Sequence, residues 1–183
     1  LEDLKAMLNL SRIDEAEDLL DELSADWQTL TAEEAGWNER FPNPAFIGAW
    51  QEHRARYGYT LRSELVYQLK RALEQYGQFE LEGPPAHLLV DEYQDLNRCD
   101  LAIVKSIVER GAQLFVAGDD DQSIYGFRKA HPNGIRRYGD DYPGATDRPL
   151  SLCKRCAPAI LDVGLFVARQ DHARIEKPLQ AEP

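Results

Sequence analysis

Two apolar runs in this sequence end in carboxylates. His87-Leu88-Leu89-Val90 gives way to Asp91-Glu92, and Leu114-Phe115-Val116-Ala117 gives way to Gly118-Asp119. In open α/β sheets, ligands bind at the carboxyl ends of the strands. Acids placed there suit nucleotide hydrolysis: one carboxylate can hold Mg²⁺ directly or through water, and a second can orient and deprotonate an attacking water. The pair alone decides little, because strand ends often carry acids. A second constellation is Cys153-Lys154-Arg155-Cys156, a C-x-x-C. A structural zinc site needs four ligands and only Cys99 remains to join these two. A thiol-exchange site would want the cysteines at a helix start, which this spacing permits. His53, His87, His131 and His172 show no ligand spacing, and His87, on an apolar strand, reads as a core histidine.

The elements that would position these groups can be read from periodicity. Ser11 with Asp14 predicts a helix start, followed by Ile13, Ala16, Leu19, Leu20 and Leu23 at helical spacing. Thr31 with Glu34 predicts another. Phe41-Pro42-Asn43-Pro44 must turn, and Phe46, Ile47 and Trp50 predict a helix ending near Gly58. From Thr60 on, Leu61, Leu65, Leu69, Leu73 and Tyr76 line one face of a further helix, with Gly77 as its stop. After Gly83-Pro84-Pro85 the pattern becomes strand, helix (Leu101, Ile103, Val104, Ile107, Val108, closed by Gly111) and strand, a βαβ unit with parallel strands. Pro149 to Leu152 predicts a short strand and Pro158 to Val167 a helix, with a frayed tail after Lys177.

Composition narrows the class. The 183 residues are 43% hydrophobic and 29% charged, as in ordinary globular proteins. There is neither a membrane-spanning apolar run nor a secretory pattern at the start, and three cysteines make no disulfide framework, so a reducing cytoplasm is the expected compartment. A net charge of −11 argues against coating nucleic acid by bulk positive charge. The acid is unevenly spread: Asp14, Glu15, Glu17, Asp18, Asp21, Glu22 and Asp26 crowd one helix as a solvated face, while Arg128, Lys129, His131, Arg136 and Arg137 form a basic stretch.

The words around the acids are more specific. Leu88-Leu89-Val90-Asp91-Glu92-Tyr93-Gln94-Asp95-Leu96-Asn97 resembles the Walker B motif of the UvrD-like superfamily 1 DNA helicases. Val116 to Arg128, with Gly118-Asp119-Asp120-Asp121-Gln122-Ser123-Ile124-Tyr125-Gly126-Phe127-Arg128, is similar to the motif that follows it in that family. Tyr142-Pro143-Gly144-Ala145, leading into Leu150-Ser151-Leu152-Cys153-Lys154-Arg155-Cys156, resembles the family's fourth motif. The resemblance covers residues from about 86 to 165. It implies ATP and Mg²⁺ as cofactors, with Asp91 on the metal and Glu92 as general base. It implies Gln122 as a sensor touching the γ-phosphate and the attacking water, which an amide that both donates and accepts can do. Arg155 becomes an arginine finger reaching the γ-phosphate from a second motor domain. Tyr125 and Phe127, beside Arg128, would stack on the bases of single-stranded DNA at a duplex junction, worth roughly 1–3 kcal/mol per base and tolerant of any sequence; core packing is the alternative for the two rings.

The fold class so implied is α/β, a partial RecA-like P-loop NTPase domain. A helical insertion is expected over 1–60, the latter part of a first motor domain over 61–147 and the beginning of a second over 148–183. The activity implied is ATP-dependent helicase translocation, 3′ to 5′, on single-stranded DNA. No Gly-x-x-x-x-Gly-Lys-Ser/Thr is present, nor any motif beyond the fourth. With Leu1 opening the chain, this predicts a piece of a longer enzyme, inactive by itself; the rival is a non-catalytic adaptor for DNA or protein that has lost its phosphate loop. Lys154 stands where relatives often carry an adenine-stacking tyrosine, and Phe127 where many carry tryptophan.

Overall fold

The computed structural model of the chain describes residues 1–75, 85–123, 129–130 and 133–182. Helices come first: α1 (Glu2–Met7), α2 (Ile13–Thr29), α3 (Trp37–Arg40), α4 (Phe46–Tyr57) and α5 (Arg62–Gln75). α2 starts beside the predicted Ser11. The Glu15 carboxylate accepts from the Ser11 hydroxyl at 2.6 Å and from the Arg12 N–H at 3.2 Å, closing the first turn. The start expected at Thr31 yields only a three-residue 3₁₀ turn, Thr31–Glu33. Leu30 before it is left-handed, and the Thr31 hydroxyl is engaged by Thr29 at 2.8 Å rather than capping a helix. The prolines at 42 and 44 turn the chain so that Phe41 stacks on Phe46 at 5.4 Å, and α4 ends at Gly58 with φ +65. Leu4, Leu23, Trp27, Phe41, Phe46 and Trp50 form the buried cluster of these helices, joined by the half-buried Leu61 and Tyr67.

α5 forms where predicted but presents a different face. Leu65 and Leu69 are exposed, whereas Glu64, Lys70 and Leu73 are buried. The reason is electrostatic: Glu64 meets Arg54 at 2.7 Å, and the Lys70 ammonium lies between Glu33 and Glu74. Burial works against that ammonium, but hydrogen bonds and charge from Glu33 and Glu74 outweigh it and raise the Lys70 pKa. Tyr76 and Gly77 lie outside the described residues.

β1 (His87–Val90), α6 (Arg98–Glu109) and β2 (Gln113–Val116) make the expected parallel βαβ unit, with His87 opposite Gln113 and Val90 opposite Val116. α6 opens with a reciprocal cap: Asn97 Oδ1 accepts from the Asp100 N–H at 3.0 Å, and Asp100 Oδ2 accepts from the Asn97 N–H at 3.2 Å. The helix packs on α5 and α2. One face of the two strands leaves Leu89 and Phe115 exposed at 73% and 63%. His87, two residues from Leu89, shares that uncovered face by strand alternation and is exposed, so it is not a core histidine.

Short helices α7 (Asn133–Arg136) and α8 (Tyr138–Asp141) follow, then β3 (Leu152–Cys153), α9 (Pro158–Ala168) and β4 (Gln180–Ala181). β3 is shorter and later than predicted, with Leu150 90% exposed. The tail is not frayed. β4 pairs parallel with β3, Leu152 opposite Gln180, and the Gln180 and Glu182 N–H groups donate to the carbonyls of Ser151 at 2.8 Å and Cys153 at 2.9 Å. No helix among the described residues is long and apolar enough to cross a membrane.

Candidate active site

The ends of β1 and β2 are joined by a continuous run of hydrogen bonds. Asp91 is exposed, and its Oδ1 accepts from the Glu92 N–H at 2.9 Å. Glu92 adopts a left-handed backbone, φ 51 and ψ 44, uncommon for a residue with a side chain and a conformation that recurs at functional sites. The Gln94 amide bridges the two strands: Nε2 donates to Glu92 Oε2 at 2.8 Å, while Oε1 accepts from the Asp119 N–H at 2.9 Å. Asp119 Oδ2 in turn accepts from Gln122 Nε2 at 2.8 Å. The relay therefore runs from Glu92 through Gln94 and Asp119 to Gln122. Gln94, 1% exposed, is its central member and was not singled out from the sequence; its only signal was its place two residues after Glu92. Gly118 keeps the crossing narrow. A Cβ there would lie 2.7 Å from Gln94 Oε1, 2.8 Å from Ile135 Cδ1 and 3.2 Å from the Tyr93 nitrogen, so a side chain would displace the Gln94 amide from the relay. Below the relay Tyr93 is buried edge-on against Tyr138 at 5.6 Å, and burial, with Tyr142 beside it, raises its pKa.

Asp119, Asp120 and Asp121 place carboxylate oxygens within 4.8 Å of one another. Three adjacent carboxylates repel unless compensated, and here side-chain cations occupy the space between them. Lys177 pairs with all three, at 2.6 Å to Asp120 and 2.9 Å to Asp121. Arg174 donates to both oxygens of Asp121, at 3.0 and 2.7 Å. Arg136 Nε donates to Asp120 at 3.0 Å and Nη2 to Asp171 at 2.6 Å. The Arg174 hydrogen bonds pull Asp121 down to about 2. Burial of Asp120 opposes ionisation, but Lys177, the Ile175 N–H and Arg136 together lower its pKa as well. With an ammonium at its centre, this triad is not an open metal site.

The other expected residues are placed as follows. Tyr125, Phe127 and Arg128 lie outside the described residues, as does His131. Of the basic stretch, Arg136 is turned inward to the acid triad and so is not part of a solvated basic face. Arg137 is exposed and 3.8 Å from Asp141. Arg155 is exposed at the bend between β3 and α9, outside the ion pairs found among the described residues. Lys154 is exposed and 3.5 Å from Glu182. Cys99 is buried on α6, its thiol pushed up to about 12 by that burial, whereas Cys153 and Cys156 are free thiols beside the start of α9. The N–H groups of Arg155 and Cys156 and the Cys156 thiol draw the Cys153 thiol downward.

A family model, the UvrD/REP helicase N-terminal domain, matches residues 9–143, a span containing the whole relay. The chain belongs to the UvrD/Rep helicase family. Among its relatives, the ATP-dependent DNA helicase PcrA of Leuconostoc citreum is 41% identical over 96 residues, which are 52% of this chain and 13% of that protein. DNA helicase II of Escherichia coli is 34% identical over 93 residues, 51% of this chain and 13% of the relative. The ATP-dependent DNA helicase Rep of the same organism is 38% identical over 97 residues, 52% and 14% respectively. The matched stretch thus covers about an eighth of the length of these relatives.

Proposed function

We propose that the protein works as an ATP-dependent DNA helicase, of which this chain is the section carrying the hydrolytic and DNA-coupling groups of a RecA-like motor domain. The observation that carries the reading is the relay from Glu92 to Gln122 across the ends of two parallel strands, where a group that acts on water and a group that senses phosphate must work together.

The acids and the amide at the strand ends fit the Mg²⁺ and γ-phosphate end of an ATP site. Asp91 is exposed and offers a hard oxygen ligand set at a strand end; among the described residues only Oδ1 is engaged. When bound, Mg²⁺ would neutralise charge on the phosphates. Glu92 acts as the general base: Gln94 holds one carboxylate oxygen, leaving the other to take a proton from water. Gln122, steadied through Nε2 by Asp119, presents its carbonyl oxygen to that water and reports on the γ-phosphate. Arg155, exposed between β3 and α9, serves as the finger from the second motor domain, stabilising charge when the domains close. Tyr125, Phe127 and Arg128 follow Gln122 directly in sequence, so one stretch of chain connects phosphate to single-stranded DNA bases at a duplex junction. The movement is 3′ to 5′, as the family resemblance implies.

The test uses the full-length protein: phosphate release with and without single-stranded DNA, together with DNA binding and unwinding by Phe127→Ala. The proposal expects DNA-stimulated release. It also expects Phe127→Ala to weaken single-stranded DNA binding by roughly 1–3 kcal/mol and to reduce unwinding more than DNA-free hydrolysis. A full-length protein that binds DNA but never hydrolyses ATP would favour an adaptor instead. A folded Phe127→Ala protein that binds and unwinds DNA normally would remove the stacking role. Residues 1–183 alone, lacking a Gly-Lys-Ser/Thr loop, should release phosphate no faster than buffer.

A further inference from the structure

The segment between α9 and β4 is bound by polar contacts to the loop that carries Gln122 and to α7 beyond it. Asp171 pairs with Arg136, Arg174 forks onto Asp121, the Ile175 N–H donates to Asp120 at 2.8 Å, and Lys177 reaches Asp119, Asp120 and Asp121. The far end of the segment is fixed by β4 pairing with β3, the strand that leads directly into Lys154-Arg155. The Asp119 carboxylate is shared between the two sides: Lys177 donates to Oδ1 and Gln122 to Oδ2. Where the Gln122 amide sits is therefore set by a carboxylate whose other oxygen is shared by the Asp121 N–H, at 3.1 Å, and Lys177 of the tail.

We propose that Lys177 and Arg174 are positioning residues for ATP hydrolysis, holding the Asp119–Asp121 triad so that Gln122 is aimed, and tying that aim to the β3–α9 unit that bears Arg155. This rests on the reading of Gln122 as the phosphate sensor. The physical argument is charge. The Asp120 side chain is fully buried and the other two carboxylates are within 4.8 Å of it, so without the tail's two cations the triad must splay or take up protons. Either response moves Asp119, and Gln122 with it. Both cations lie beyond residue 143, where the family match ends, so the tie joins the matched section to the part outside it.

The experiment measures kcat and KM for ATP in the full-length protein, with and without single-stranded DNA, for wild type, Lys177→Met, Lys177→Arg and Arg174→Lys, with melting temperatures for each. Loss of an outer partner that orients a working group typically costs on the order of 10–100-fold in activity. The expected result is a kcat reduced at least about tenfold in Lys177→Met with KM nearly unchanged. Lys177→Arg, which keeps the charge, should recover most of it. Arg174→Lys, which keeps charge but loses the fork, should show a smaller fall. If Lys177→Met does not fold, Arg174→Lys decides: a lowered kcat at unchanged melting temperature supports the positioning role, and an unchanged kcat overturns it. Wild-type kcat and KM in a folded Lys177→Met, or a loss of kcat that only follows melting, would also overturn it. A wild-type protein that does not hydrolyse ATP would instead sink the helicase reading itself.

Discussion

The helical unit and the strand-end loop are held together by different physics. In the first, six buried apolar side chains interlock, with Trp27 against Trp50 at 5.4 Å and Phe41 against Phe46. In the second, three carboxylates are gathered by three cations and one amide relay. Burial is non-directional and tolerates small shifts, whereas a forked ion pair fixes both distance and angle. The contrast explains why the candidate chemistry sits where it does: geometry matters in the loop, and bulk stability is supplied elsewhere.

The largest break in this comparison should come from the apolar side. Phe46 is fully buried, and Phe46→Ala should cost about 3–5 kcal/mol in chemical denaturation. In the loop, Arg136→Met leaves buried Asp120 with Lys177 and a backbone N–H only, and should cost about 2 kcal/mol. Denaturant midpoints of the two variants would rank them, and equal midpoints would erase the distinction.

Acid should separate the two regions in one sample. Asp120 and Asp121 have folded-state pKa values below their ordinary ones, Asp121 at about 2. A carboxylate lowered on folding contributes stability that is present above its unfolded pKa and is lost as pH falls through the folded value. For Asp121 this is worth about 2 kcal/mol, disappearing between about pH 4 and pH 2. All three tryptophans, Trp27, Trp37 and Trp50, report on the helical unit. Exchange protection of the Ile175 amide should therefore collapse at a higher pH than the tryptophan emission changes. Coincident transitions would mean that the loop has no separate electrostatic support. The smallest effect belongs to the surface: Arg137→Ala removes an exposed pair at 3.8 Å and should change stability by less than about 0.5 kcal/mol.

What could be read from sequence follows the same division. Local patterns predicted β1, β2, α4 with its Gly58 stop, and α9 to within a residue or so, and the presence of α6 between the strands, because periodicity and strand ends are encoded nearby. The acids at the strand ends were legible for the same reason. The buried face of α5 was not. Its leucines recur every four residues, but Glu64 and Lys70 turn inward because Arg54 and Glu33 wait on other elements. Gln94 looked like one polar residue among several until the parallel strands brought Asp119 to its amide. The tail reads as a polar terminus, and its cations gain meaning only against carboxylates more than fifty residues earlier.

The claim at the centre of this account is that Glu92 activates the water that attacks ATP. Its most direct test is single-stranded-DNA-stimulated phosphate release by full-length Glu92→Gln, with nucleotide binding measured on the same preparation. Loss of a general base typically costs about 10²–10⁴-fold. The account predicts a fall of that size with nucleotide binding retained, since glutamine keeps the shape and can still meet the Gln94 amide. Near-normal turnover by a folded Glu92→Gln protein would contradict it and assign the water to another group.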